Sequence, residues 1–498
     1  MNAPPLVVAD PTILVIFGAS GDLTSRKLMP ALQDLEKQGF LNERFTVVGV
    51  ARTEMSDDDF RDRMITAVPD GGDSWAKRAA AFRYVQGEYG NAALYERLNV
   101  VLSEVDTHFG IAPGAGSRLF YFSAPPSTFP LIVSGLTAAG MNKPTGSESY
   151  ARIVVEKPFG RDGASAKALD ETIHAGFSES QVFRIDHYLG KETVQNLLAL
   201  RFSNTIFEPL WNRTYVDYLE VTVAESIGVG HRGGFYEEAG AMRDIVQNHV
   251  MQVLALMLME PPVRIDAASI RDEKVKALRA VQRFSVSQVI RQVVRGQYTS
   301  GLVEGMPALG YRQEEGVNPQ SQTETYIAMR MACDNWRWAG VPIFVRTGKC
   351  LTKRVTEVTA HFRNAPLQPF ANAMGARHEP NSLTVRIQPS PGISLRFGAK
   401  VPGQAFRVRT AHMDFDYADQ FPEEDLDGYE RLLLDAMMGD ATLFIRSDEV
   451  ATAWEIVDPI LAGFVAEDIP VSLYPAGSWG PAEADLLLDL EGHRWRTP

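Results

Sequence analysis

The stretch from Thr12 to Val50 constrains this chain more than any other part of it. TILVIF at Thr12–Phe17 is a short apolar run rich in β-branched residues, the composition of a strand buried inside a parallel sheet. A turn follows, Gly18-Ala19-Ser20-Gly21-Asp22-Leu23. Ser25–Gln38 then carries Leu28, Ala31, Leu32 and Leu35 at the i, i+3, i+4, i+7 spacing of a helix laid against a sheet, and Gly39 ends it. FTVVGV at Phe45–Val50 reads as a second strand. Strand, turn, helix and strand in that order make a βαβ unit.

The alternation continues. Leu119–Ser123 and Ile153–Val155 read as strands, Ala164–His174 as a helix and Val182–Ile185 as a further strand. Strands alternating with helices imply a parallel sheet up to about residue 186. The texture then changes. Glu192–Leu200 and Ala241–Met259 are helical patterns, whereas Val355–Phe362, Ser382–Gln388 and Ile393–Phe397 alternate as half-buried strands do, without regular helices between them. The expected fold is an α/β Rossmann-type N-terminal domain over residues 1–186. A larger α+β domain over 187–498, with a mostly antiparallel sheet, completes it. A chain of 498 residues, 45% of them hydrophobic, is long enough for two cores.

Composition excludes several function classes. The net charge of −13 argues against nucleic acid or an anionic membrane as a general partner, so an anionic ligand would need a local cluster of cations and backbone N–H groups. Cys333 and Cys350 are too far apart for a Cys-x-x-Cys pair, and neither a disulfide framework nor a zinc ribbon is suggested. No His-x-x-x-His pair occurs, so no metal is expected. The start MNAPPLVVADP has neither the basic region nor the apolar run of a secretory signal, and no apolar stretch is long enough to span a bilayer. The expectation is a soluble, cytoplasmic protein.

Three segments carry chemistry. The Gly18–Leu23 turn sits between a strand and a helix, where a dinucleotide pyrophosphate docks on a helix N-terminus. Gly18 would permit the tight turn and Gly21 the close approach of backbone to phosphate. The spacing is Gly-x-x-Gly rather than the full Gly-x-Gly-x-x-Gly, and an ordinary strand–helix turn is the competing reading. At the end of the second strand stands Arg52, where an acidic residue would serve NAD. A cation there suits the 2′-phosphate of NADP, with a plain surface arginine as the alternative.

The second segment is Arg184-Ile185-Asp186-His187-Tyr188-Leu189-Gly190-Lys191, at a strand end where ligands collect in open α/β sheets. Lys191 near a helix start, with His187, could grip a phosphate. A capped, salt-bridged turn is the competing reading. The third segment, Asp244–His249, places His249 on one helical face with Met242, Ile245 and Val253. Alone, that pattern favours a core histidine. The other role is a general base, which needs a carboxylate to orient it, and Asp186 is a candidate.

Taken together, the segments are specific. GASGDL at Gly18–Leu23, EKPFG at Glu156–Gly160, RIDHYLGKE at Arg184–Glu192, RDIVQNHVMQ at Arg243–Gln252, RDEKVKAL at Arg271–Leu278 and VPIFVRTGK at Val341–Lys349 resemble, in this order, the glucose 6-phosphate dehydrogenase family. The resemblance implies oxidation of glucose 6-phosphate at C1 to 6-phosphogluconolactone with hydride transfer to NADP, with use of NAD left open. This is the first step of the oxidative pentose phosphate pathway. It implies His249 as the base and Asp186 as its carboxylate. It implies His187, Tyr188 and Lys191 at the phosphate, and Glu225 and Asp244 as acceptors for sugar hydroxyls. Lys349 and Arg354 would be further substrate contacts, and Lys157 would touch both substrate and cofactor. Gly18, Ala19, Ser20, Gly21, Asp22, Leu23 and Arg52 would line the cofactor site. A homodimer or homotetramer is implied as well. Pro158 restricts Lys157 to extended conformations, and the isomer of that bond stays open.

Overall fold

The structure, a computed structural model, describes residues 8–143, 145–367, 379–403, 408–421 and 428–498. The first seven residues of the start that was read against a secretory signal lie outside these. The chain folds into two compact units. One comprises Met1–Lys191, Arg264–Arg271 and Leu426–Ala451, and the other Glu192–Val263, Asp272–Asp425 and Thr452–Pro498.

The first unit is built on six strands: β1 Thr12–Phe17, β2 Thr46–Ala51, β3 Arg83–Gln86, β4 Ser117–Phe122, β5 Ala151–Val155 and β6 Val182–Arg184. They form one sheet in the order β3-β2-β1-β4-β5-β6. Every neighbouring pair is parallel, with Leu14 opposite both Val47 and Leu119. All residues of β1, β2 and β4 are buried, which is why these strands read as unbroken apolar runs rather than as alternation. The strand order reverses between β1 and β4, so the crevice at their carboxyl ends is the ligand position of a doubly wound sheet. The helix after β1 winds in wide π-type turns over Thr24–Leu28 and continues as an α-helix over Met29–Lys37, burying Leu28, Ala31, Leu32 and Leu35 as its spacing predicts. Each such leucine contributes about 1.5–3 kcal/mol by leaving water. Helix Asp57–Thr66 starts at a capping box, in which Ser56 Oγ accepts from Asp59 N and Asp59 Oδ2 accepts from Ser56 N.

Two segments distant in sequence complete this unit, and a division at 186/187 does not contain them. Arg152 donates to the carbonyls of Ala436 and Met437 at 2.9 and 2.6 Å, capping the end of helix Gly428–Met438. Phe183 packs edge-on against Phe444 at 4.8 Å, and Ile445 N donates to Arg184 O.

The second unit is α+β. Its strands are β7 Val216–Ala224, β8 Val293–Thr299, β9 Gly301–Val303, β10 Met306–Ala308, β11 Tyr326–Met331, β12 Ile343–Gly348, β13 Val355–Phe362, β14 Ser382–Gln388, β15 Gly392–Lys400, β16 Val408–Asp416 and β17 Ser472–Pro475. β9 and β10 form a small hairpin, and the others form one sheet in the order β16-β15-β14-β13-β7-β12-β11-β8-β17. Only the β7–β12 and β8–β17 pairs of that sheet are parallel. β13 and β14 have the bounds predicted for them, but β13 is not half-buried as expected: Thr356, Glu357, Thr359 and His361 are buried along with its apolar residues.

The helical pattern expected over Ala241–Met259 divides. Met242–Val250 is wound in π-type turns and Met251–Leu258 is α-helical. Nearly every residue between Met242 and Met259 is buried, so this helix is core all round. The 100° face that grouped His249 with Met242 and Ile245 therefore does not describe the segment, because a π-type winding changes the period.

Candidate active site

At the dinucleotide turn, Gly18 has φ of +89° and donates to Val50 O at 2.8 Å, while Gly21 N donates to Gly18 O at 2.9 Å. A Cβ on Gly18 would lie 2.3 Å from the carbonyl oxygen of Ser123 at the end of β4. Only glycine accepts both that torsion and that approach. Beside this turn the hydroxyls of Thr24, Ser25 and Ser123 are buried with no hydrogen-bond partner among the described residues. Orphaned donors at the switch point of a parallel sheet fit the oxygens of a bound dinucleotide. Ser20 is held from two sides, since its carbonyl accepts from Arg63 at 2.6 Å and its Oγ from Thr53 at 3.0 Å. Arg52 is exposed beyond β2, with its carbonyl accepting from Gln86. Asp22 is ion-paired with Arg26 at 3.7 Å on the surface, and Ala19 is buried. Arg63 is a second cation at this turn that sequence reasoning missed, for it comes from a separate helix.

After β5, Glu156 is half-buried and accepts from Tyr121 Oη at 2.5 Å and from Tyr429. Burial raises its pKa, against these hydrogen bonds and the charge of Lys157. The Lys157–Pro158 peptide is cis. After β6, Asp186 is buried at 1% exposure, and its Oδ1 accepts from Tyr188 N at 2.9 Å. Leu189 N donates to Asp186 O at 2.9 Å and Lys191 N to Tyr188 O at 3.2 Å, so backbone bonds lock the turn. Lys191 Nζ lies 4.3 Å from the centroid of the Tyr188 ring, and the His187 ring lies parallel to that of Tyr429 at 6.4 Å. A Cβ on Gly190 would lie 2.4 Å from Gly428 O, so this turn requires glycine where the 428–451 segment passes. No local signal announced Tyr429, which is contributed from far along the chain.

Asp170, His174 and Glu179 also converge here, with potential ligand atoms within 4.8 Å of one another. Arg184 bonds Asp170 at 2.7 Å and Glu179 at 2.8 Å, and His174 bonds both carboxylates through its ring nitrogens. The Arg184 guanidinium bonds both carboxylates, and the network ties the end of β6 to helix Gly163–His174.

In the second unit, Glu225 and Lys349 leave the carboxyl ends of the adjacent parallel strands β7 and β12, where Ala224 is opposite Gly348. Their side chains form an ion pair. The Lys349 backbone is fixed at both ends, N donating to Thr325 O and O accepting from Tyr474 Oη at 2.7 Å. Arg354 donates to Gln388 at 3.1 Å and is exposed. Asp244 and His249 both lie on the π-type segment, and His249 is 1% exposed. Gly240, with φ of +62°, breaks the preceding helix, and a Cβ there would lie 2.3 Å from Glu324 Oε1. Glu324 then receives Met242 N on that oxygen and Ala241 N on its carbonyl, capping the segment that carries Asp244 and His249. Tyr236, on helix Gly233–Ala241, is buried beneath the Lys349 ammonium, which stands 5.2 Å from its ring centroid.

A doubly wound parallel sheet with a glycine turn at its switch point, on a chain whose α+β unit buries ionisable side chains at strand ends, is the build of a nicotinamide-dependent oxidoreductase. The comparisons narrow the class. The family model described as glucose-6-phosphate dehydrogenase, NAD binding domain, matches residues 15–196, and that of the C-terminal domain matches 198–496. A glucose-6-phosphate 1-dehydrogenase of Aggregatibacter actinomycetemcomitans is 48% identical over 98% of both chains, and one of Mycobacterium bovis is 43% identical over 99% of this chain and 95% of that one. A solved glucose-6-phosphate dehydrogenase in complex with its substrate is 34% identical, with a TM-score of 0.89 over 99% of each chain. The Mycobacterium avium enzyme is 36% identical, with a TM-score of 0.83 over 98% of this chain and 99% of that one. The chain belongs to the glucose 6-phosphate dehydrogenase family.

Proposed function

We propose that this protein oxidises glucose 6-phosphate at C1 to 6-phosphogluconolactone, reducing NADP, as the entry step of the oxidative pentose phosphate pathway. The observation that carries this reading is the end-to-end match to a relative solved with glucose 6-phosphate, 34% identical over 99% of each chain. Residues 1–186 are assigned to dinucleotide binding, and 187–498 to substrate binding and oligomerisation. A homodimer or homotetramer in the cytoplasm is part of the proposal. Among the described residues no helix is long and apolar enough to cross a membrane.

The division of labour follows from chemistry. His187, Tyr188 and Lys191 bind the dianionic phosphate, which explains a local cluster of cations on an acidic chain. Holding that remote group fixes C1 in place, so binding energy is spent on orientation. Glu225, Asp244, Lys349 and Arg354 orient the sugar hydroxyls. His249 takes the proton of the C1 hydroxyl as the C1–H bond is lost, and the Asp186 carboxylate orients the ring and stabilises the imidazolium. Gly18, Ala19, Ser20, Gly21, Asp22 and Leu23 would hold the dinucleotide, with Arg52 toward a 2′-phosphate and Lys157 toward both ligands. A bound nicotinamide supplies the hydride acceptor.

Steady-state kinetics with glucose 6-phosphate and either NADP or NAD test the proposal. Turnover with a higher kcat/KM for NADP is expected. Folded protein that reduces neither cofactor would overturn the reading, and preference for NAD would overturn the role of Arg52.

A further inference from the structure

Helix Asp57–Thr66 carries an arginine that its own acidic residues do not neutralise. Asp57 pairs with Arg83 at 2.7 Å, and Asp58 with Arg61 at 2.7 Å. Asp59 stands four residues before Arg63, the spacing of a helical ion pair. Its carboxylate is occupied instead by the N–H and hydroxyl of Ser56, at 2.9 and 2.7 Å. Arg63 forms no ion pair among the described residues, and it reaches out of the helix to donate through Nη2 to the Ser20 carbonyl at 2.6 Å. A guanidinium has donors to spare beyond that one. Packing fixes where the helix presents this side chain. Phe60 and Met64 are fully buried, and a Cβ on Gly49 of β2 would lie 2.6 Å from the Phe60 ring and 3.0 Å from the Cβ of Ala19. The helix is thus pressed against β2 where the dinucleotide turn lies.

The other side of the gap is braced as well. Ser20 Oγ accepts from Thr53 Oγ1 at 3.0 Å, and the Thr53 carbonyl accepts from the buried Tyr84 Oη at 2.5 Å. Two hydroxyls and the Arg63 guanidinium therefore meet between the carboxyl ends of β1 and β2. Arg52, next to Thr53, also forms no ion pair among the described residues. In a doubly wound sheet the end of the second strand is where the 2′ position of the ribose is read. On a chain of net charge −13, two arginines left without a carboxylate beside two hydroxyls fit a phosphate dianion.

We propose that Arg63 is a specificity-determining residue for the 2′-phosphate of NADP, anchoring the Ser20 turn by its carbonyl and adding a second positive charge to that of Arg52. The inference rests on the reading of NADP as the cofactor. It deepens that reading, because Arg52 by itself is one exposed side chain, whereas Arg63 is half-buried and held in place.

Arg63→Met keeps the stem of the side chain and removes its donors and its charge. Calorimetric titration of this variant, without substrate, is expected to show the Kd for NADP raised roughly tenfold, the worth of a hydrogen bond to a charged group. The Kd for NAD should move little. The salt dependence of NADP affinity should flatten, since one cation fewer faces the phosphate. Arg63→Lys, which keeps the charge, should recover most of the discrimination against NAD. Should the Met variant not fold, Arg63→Gln takes its place with the same expected ratio. Equal losses of affinity for NADP and NAD would show that Arg63 only props the turn, and would overturn the inference. So would an unchanged ratio of the two dissociation constants, or a salt dependence identical to that of the native protein. The native protein separates this from the reading beneath it. Native preference for NADP with the variant's ratio unchanged removes Arg63 and leaves the cofactor reading standing. Native protein that binds NAD as tightly as NADP removes both.

Discussion

A histidine that is to take a proton in the transition state must be held in one tautomer and orientation. His249 is buried to 1% exposure on a helix that is core on every side, and the neighbouring Asn248 side chain accepts from its backbone N–H at 2.6 Å. His249→Asn keeps size and polarity and removes the base. On the proposed reading it lowers kcat by roughly 10²–10⁴-fold while the dissociation constant for glucose 6-phosphate moves little. Near-normal turnover in that variant would take the role away from His249. At this scale the sequence was informative where polar residues cluster at a strand end, as in Asp186-His187-Tyr188. It was silent on Arg63, Tyr121, Tyr236 and Tyr429. Each of these reaches its position through packing, and its own neighbours in sequence look ordinary.

At the scale of elements, the turn after β1 is the most tightly specified feature. Its torsion of +89° costs an alanine on the order of 1–2 kcal/mol, before any collision with Ser123 O is counted. Gly18→Ala is therefore expected to weaken NADP binding by at least about tenfold and to lower Tm, measured by calorimetric titration and thermal unfolding. Unchanged affinity would mean that the turn does not form the cofactor cradle. The strands of the first sheet were legible because a fully buried parallel strand is an apolar run, and β13 and β14 because polar and apolar residues alternate along them, although the polar residues of β13 prove buried too. The helix over Met242–Leu258 was legible as a helix but not in its winding. π-type turns over Met242–Val250 begin just past Gly240, where Glu324, from another part of the chain, receives the first N–H groups. A residue-by-residue period of 100° assumes α-helical winding, which this segment does not have.

At the scale of the whole chain, the first unit is discontinuous. Its sheet places Arg152 and Phe183 against residues 436–444, and removing that segment would strand two carbonyl contacts and expose an aromatic pair. A fragment of residues 1–191 is accordingly expected to lack cooperative thermal unfolding and near-ultraviolet circular dichroism. Cooperative melting of that fragment would show that Leu426–Ala451 is dispensable. Residues and periodicities alone determined the parallel Rossmann-type first sheet, the α+β character of the remainder and the principal polar segments, and the resemblance of those segments pointed to the family. Those properties are local, set by torsions, burial patterns and spacings within a few residues. Tertiary structure alone decided which distant segment completes the first unit, which glutamate caps the segment carrying His249, and which tyrosine lies beneath the Lys349 ammonium. These depend on side chains that meet only after folding, and a contact between residues far apart in the chain leaves no period behind it.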